Sequence, residues 1–378
     1  MRIAACDMLD SKGSLPLLLL VKGILMASAA PIPPAIQSMP LVQRWATAIN
    51  TCNCPDIHAA DTFTRWLVIS RACVFSMTFT SGLIGVLLAA SVGAFAENTL
   101  FKIFLALLCV VGLVAAHATN NLVNDWTDVR KGVDTEDYPR AQYSTHPVLG
   151  GLTTPGMLLK VSFALTLMDG LIMLFLAAVT GPLVIFFAVS GLLLSLGYTA
   201  FLKRYALGEI TALVVWGPLM IGGTVYAISG QFDLRLLLMT LPYGLIVASV
   251  LIGKHTDKIR NDQPVGVNSI PVLLGERRAL LLNKITFVLF YVLVALLVIG
   301  RVASPWILLT FLAFPRLLVA WKVYSQPKPT EKPENWPVWP LWFVGWAMFF
   351  NRQAGVLFVL GLMLSLIVPP IAHALGIG

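Results

Sequence analysis

The feature that most constrains this chain is a succession of apolar runs of bilayer length. A membrane-spanning helix needs about 20 predominantly apolar residues, each rising about 1.5 Å. Runs that long lie near residues 67–92, 99–121, 156–178, 181–200, 206–228, 235–253, 281–300, 304–323 and 353–375. Hydrocarbon offers peptide groups no water to bond, so such runs must be helical. The expected fold class is an all-α membrane protein, with about nine transmembrane helices bundled around a central polar cavity. Composition agrees: 58% of residues are hydrophobic and 12% charged, where soluble domains carry roughly 25% charged residues.

Lys and Arg near helix ends are retained on the cytoplasmic side. With the N-terminus inside, the cytoplasmic connections hold sixteen basic residues, from Arg130 and Lys131 to Lys332 and Arg352, and the outer connections hold only Lys102, Arg235 and Arg301. The net charge of +8 thus reflects topology and anionic lipid, and no nucleic acid is required as a partner.

Residues 1–62 are expected to form a cytoplasmic extension ahead of a transmembrane domain at 63–378. The stretch SLPLLLLVKGILMASAAP has the length of a signal peptide, but Lys22 interrupts its apolar core, and cleavage would reverse the charge bias. The five cysteines imply no disulfide framework, and Cys73 and Cys109, in apolar runs, read as small hydrophobes.

The run NNLVNDWTDVRKGVDTEDYPR, residues 120–140, ends the second apolar stretch with clustered carboxylates and bases. If the helix continues to about Lys131, Asn121, Asp125 and Asp128 fall on one face at i, i+4 and i+7, flanked by His117 and Asn124. Gly132 is a natural helix stop, after which Asp134 folds back. A second cluster, GKHTDKIRNDQPVG, ends the sixth stretch with Lys254, Asp257, Lys258, Arg260, Asn261 and Asp262. Ionisable groups in membrane helices face a bundle interior or aqueous cavity. Facing carboxylates suit Mg²⁺, which takes oxygen ligands and shares them with substrate phosphates. The interleaved bases suit a diphosphate, which needs charge-assisted hydrogen bonds as well as metal. A loop rich in Asp, Arg and Lys is otherwise just solvated surface; two such loops at equivalent helix ends favour a shared site. His117 taken alone reads as a satisfied intramembrane histidine.

These motifs resemble the two aspartate motifs of the UbiA superfamily of intramembrane prenyltransferases, nearest the 1,4-dihydroxy-2-naphthoate polyprenyltransferase branch. YTAFLKRYALGEITALVVWGPLMIGGTVYAISG (198–230) and RACVFSMTFTSGLIGVLLAA (from Arg71) are similar to that branch, as is GVNSIPVLLGE after Asp262. The likeness spans residues 65 to about 375. Two departures matter: Gly132 stands four residues after Asp128, where many superfamily members place an aspartate, and Asp257 and Asp262 are five apart instead of four, with Asn261 at the four-residue position, which separates the two carboxylates by about 140° on an ideal helix. Either the helix ends by Arg260, or both do not touch one metal.

The resemblance implies transfer of a polyprenyl chain from its diphosphate to a small aromatic acceptor, 1,4-dihydroxy-2-naphthoate in menaquinone biosynthesis, at a bacterial inner membrane with the site facing the cytoplasm. It implies Mg²⁺ held by Asp125, Asp128, Asp134, Asp257 and Asp262. Phosphates would be clamped by Arg71, Asn124, Lys131, Arg140, Lys203, Lys258 and Arg260. Asn121 and Tyr198 would position the acceptor or the allylic cation, Tyr198 reading equally as an interfacial anchor. Other acceptors (4-hydroxybenzoate, homogentisate-like compounds, phosphorylated sugar or glycerol) stay open. The Pro- and Trp-rich stretch 328–355 reads as an interfacial loop and belt, or as a lateral gate for the chain. A cation-coupled transporter is the rival class, but its sites usually lie near the bilayer midplane, and these clusters sit at helix ends.

Overall fold

The computed structural model describes residues 39–374 except Phe201, Lys203 and Arg204; the side chains of 198–200 and 369–374 also lie outside the described residues. The expectations for residues 1–38, Tyr198 and Lys203 therefore fall outside this description. Among the described residues every regular element is helical. Two short helices, α1 (Leu41–Thr51) and α2 (Thr62–Ile69), lead into the bundle. The spans are α3 (Ala72–Ser91), α4 (Thr99–Arg130), α6 (Pro155–Thr180), α8 (Gly208–Ser229), α9 (Leu234–Asp262), α11 (Glu276–Ile299), α12 (Pro305–Val323) and α13 (Phe343–Ala374). The ninth is the shorter α7 (Leu183–Ala200). Two short helices, α5 (Pro139–Tyr143) and α10 (Ile270–Leu274), sit in the connections after α4 and α9.

Burial sorts the spans. Within its apolar window α9 is 72% buried and α6 only 6%, so α9 forms the centre and α6 faces lipid. Between hydrocarbon-bathed helices, association rests on packing and interhelical hydrogen bonds. Phe287 and Phe290 of α11 meet Phe350 of α13 edge-on, and Phe287 also meets Tyr324. Asn283 of α11 donates to the Ser249 carbonyl of α9 at 2.9 Å. Around Gly217 and Pro218, α8 widens into one π turn at Val215–Leu219, and there it touches α9 closely. A Cβ on Gly244 would sit 2.6 Å from the Leu213 carbonyl oxygen and 3.0 Å from Gly217 Cα, so this crossing requires glycine. The outer bases are used at helix ends: Lys102 bonds the Ile228 carbonyl at 2.6 Å and Arg235 the Val302 carbonyl at 3.0 Å.

Three sequence expectations change. The first apolar run is broken, because Arg71 adopts φ 58° between α2 and α3. Asn121 of α4 holds that break by donating to the Ser70 carbonyl at 2.9 Å. The last span begins at Phe343, ten residues before the apolar run, and carries Arg352 inside it. Cys52 and Cys73 form a disulfide with Cα atoms 5.0 Å apart, within the usual range. The sequence expectation of no disulfide is thereby corrected: Cys52 ends α1 in the left-handed conformation, φ 61°, which turns it toward the helix break.

The bridge ties residues 39–61 to the bundle. A loop of this size stabilises by about 3 kcal/mol through restriction of the open chain. Reduction, or Cys73→Ala, is expected to speed tryptic cleavage at Arg44 and Arg65 while α3–α13 stay intact on a gel. An unchanged cleavage rate would mean that the apolar contacts of Ala48, Cys54 and Ile57 with Val68 suffice alone.

Candidate active site at the ends of two long helices

The end of α4 gathers the first cluster. The helix closes in a Schellman turn: Gly132 takes φ 68°, and its N–H bonds the Val129 carbonyl while that of Val133 bonds Asp128. Asp134 N–H also reaches the Asp128 carbonyl, at 3.2 Å, so the chain folds back as the glycine predicts. Asp125 is fully buried between two guanidiniums. Arg140 grips it through two bonds, Nε at 3.2 Å and Nη2 at 3.0 Å, and Arg71 pairs with it from the helix break. Carboxylate oxygens of Asp125 and Asp134 and a ring nitrogen of His146 lie within 4.8 Å of one another.

His146 anchors this corner. Its Nδ1 accepts from the Val148 and Leu149 amides at 3.2 and 3.3 Å. The proton is thereby assigned to Nε2, which donates to Asp134 at 3.2 Å. Burial pushes the Asp134 carboxyl up, but the His146 bond and the charges of Arg71 and Lys258 together hold it below its ordinary value.

The second cluster meets the first through Tyr138, whose hydroxyl donates to Asp262. Burial first, and then the carboxylates of Asp262, Asp134 and Asp128, raise that phenol far above its usual range, which keeps it a donor. Lys258 lies 3.2 Å from Asp262 and 4.5 Å from the Tyr138 ring centre. Because α9 stays helical through Asp262, the five-residue interval sends Asp257 elsewhere. Its two oxygens accept the Phe343 and Val344 amides at 3.1 and 3.0 Å, and Lys328 lies 3.6 Å away.

Three buried polar atoms at the two clusters have no partner among the described residues. Asp262 Oδ2, Arg71 Nε and Arg140 Nη1 are buried with no hydrogen-bond partner among the described residues. One orphan is an anionic acceptor; two are cationic donors. Burying such groups is costly unless a ligand pairs them, and a cation together with a polyanion pairs both kinds. The donor set, hard carboxylate oxygens, fits Mg²⁺.

A central cavity of about 220 Å³ opens beside the junction, lined among others by Arg71, Asn121, Asn124, Lys254, Trp216 and Arg352. A second cavity of about 300 Å³, largely apolar, shares His117, Asn120, Ser195 and Trp216 with the first. His117 is satisfied by Thr78 at 2.7 Å, as the sequence suggests. Lys131 and Arg260 are exposed. The Pro- and Trp-rich stretch does more than line an interface: Trp336 is buried, packs on Gly345, and borders the central cavity.

Sequence reasoning missed His146 and Tyr138. Neither has a helical period, and both sit in a loop after α4 where only tertiary contact gives them meaning. It also missed Glu209, which is buried against His255 at 2.6 Å and accepts the Ile270 amide at 3.3 Å.

This fold defines a multi-pass membrane protein whose buried carboxylates and guanidiniums gather at helix ends. The family profile of the UbiA prenyltransferases matches residues 83–351, and the chain belongs to that family. A 1,4-dihydroxy-2-naphthoate octaprenyltransferase from Bacillus subtilis is 24% identical over 271 residues, covering 68% of this chain and 81% of that protein. Among solved structures, a UbiA homolog from Aeropyrum pernix K1 aligns with a TM-score of 0.59 at 17% identity, over 78% of this chain and 98% of that one. A UbiA homolog from Archaeoglobus fulgidus bound to GPP and Mg²⁺ aligns with a TM-score of 0.53 at 14% identity, over 78% and 99%.

Proposed function

We propose that this protein transfers a polyprenyl chain from its diphosphate to an aromatic acceptor, 1,4-dihydroxy-2-naphthoate, using Mg²⁺. The observation that carries this reading is that the two clusters hold both a buried carboxylate oxygen on Asp262 and buried guanidinium donors on Arg71 and Arg140 with no hydrogen-bond partner among the described residues. Asp125, Asp128, Asp134 and Asp262 would hold the metal; bound there, it supplies neutralisation of the charge that develops on the leaving group. Asp257 is left out of that set, since the five-residue interval on an unbroken helix turns it away from Asp262 and onto the first amides of α13.

Arg71, Arg140 and Lys258, with Asn124, would bind the phosphate oxygens. The C1–O bond breaks and its electron pair leaves with pyrophosphate. The ring carbon bonds to C1, and the displaced ring proton or carbon dioxide departs from an already activated ring, so no general base is assigned. The apolar second cavity suits the isoprenoid tail, which excludes water from the allylic cation. The basic residues at this end support a site facing the cytoplasm, and the proposed location is a bacterial inner membrane.

Purified protein incubated with labelled geranylgeranyl diphosphate, magnesium and a panel of aromatic acids is expected to yield a prenylated naphthalene product. One pyrophosphate should accompany each product, and EDTA should stop both. A transporter would release no pyrophosphate, and a product from 4-hydroxybenzoate alone would reassign the acceptor.

A further inference from the structure

Arg352 lies nine residues inside α13, about 14 Å along the helix from its start. It borders the central cavity. A guanidinium at that depth is costly to bury and marks a function whose partner should be named. Its protein partner is modest: Nη2 donates to the Cys73 carbonyl at 2.8 Å. Its Nε is buried with no hydrogen-bond partner among the described residues.

Arg71 and Arg140, by contrast, both lean on Asp125. No carboxylate of the described residues forms an ion pair with Arg352. The same cavity is also lined by the aromatic side chains Trp216, Trp336 and Phe349. A planar fork with a free Nε beside aromatic walls matches a planar ring bearing a carboxylate, which such a fork binds with directional, charge-assisted bonds. The helix break joins the two regions: Arg71 faces the carboxylate junction, and the Cys73 carbonyl two residues on faces Arg352. An anion on Arg352 would thus place a ring one short segment away from a diphosphate held at the junction.

We propose that Arg352 binds the carboxylate of the acceptor, so that this site takes an aromatic acid in preference to a neutral phenol or quinol. The inference deepens the prenyl-transfer reading and rests on it for the word acceptor. Its test is a binding measurement. Quenching of tryptophan emission in purified protein would be titrated with 1-hydroxy-2-naphthoate, with 1-naphthol and with geranyl diphosphate.

The wild type is expected to bind the acid about tenfold or more tightly than 1-naphthol, the worth of one hydrogen-bonded charge pair. Arg352→Gln should abolish that preference with 1-naphthol and geranyl diphosphate unaffected, and Arg352→Lys should retain part of it. Melting temperatures near that of the wild type establish that the variants are folded. The proposal is overturned if the wild type does not prefer the acid. It is equally overturned if the Gln variant keeps the preference, or weakens geranyl diphosphate instead. Failure of the wider reading looks different: the acid preference would depend on Arg352, yet no acceptor would prompt pyrophosphate release.

Discussion

Asp125→Asn is expected to lower pyrophosphate release by about a thousandfold or more, at the upper end of what losing one group that stabilises developing charge costs. The substitution keeps the shape of the side chain and removes its charge, and this residue has three demands on that charge. It holds Arg140 through two bonds, pairs with Arg71, and lies in the small group with Asp134 and His146. Removing one partner of a buried ion pair costs about 3–5 kcal/mol because the remaining charge is stranded, so the melting temperature should fall as well. Membrane insertion should survive, since the apolar windows of the spans drive it. Adding Arg71→Gln to Asp125→Asn should restore part of the stability and none of the activity. Residual turnover above a tenth of wild type in the single variant would reduce Asp125 to a holder of arginines.

The end of α4 was legible in the sequence for a simple reason: everything that shapes it is local. The i, i+4, i+7 spacing, the glycine stop and the returning aspartate lie within 14 residues, Asn121 to Asp134, and helical geometry alone puts them together. The spans were legible because hydrocarbon leaves the backbone one choice. The helix break at Arg71 was not, because the apolar run passes through it unmarked and the residue that holds it, Asn121, comes from another helix. Arg352 was misplaced for the opposite reason. Its charge marks a loop by composition, yet the cavity within the bundle gives an intramembrane guanidinium somewhere to face. His146 and Tyr138 acquire roles only when the α4–α6 connection folds against the ends of α4 and α9.

Asp257 is where motif and geometry part, and it carries the second large prediction. Five residues on an unbroken helix turn it away from Asp262, and it serves as the terminal partner of another helix. The first amides of α13 have no acceptors of their own within that helix, and a carboxylate there is favoured by the helix dipole as well as by the bonds. The neighbourhood is built for this contact. The Tyr324 hydroxyl donates to the Phe343 carbonyl at 2.8 Å, and a Cβ on Gly253 would come within 3.1 Å of the Val344 backbone. Asp257→Asn replaces one anionic acceptor with an amide nitrogen that repels an N–H, and it leaves Lys328 without its carboxylate. A destabilisation of about 3 kcal/mol is expected, read as a lower melting temperature. Turnover should fall with it, because α13 carries Gly345, Met348 and Arg352 into the central cavity. The magnesium concentration for half-maximal activity should stay close to that of the wild type. Asp262→Asn, which also loses the Lys258 pair, should instead raise the magnesium requirement by about tenfold or more, the worth of one charged oxygen ligand. If Asp257→Asn instead raised the magnesium requirement and left melting alone, the helix-anchoring role would fall and the carboxylate would return to the metal set.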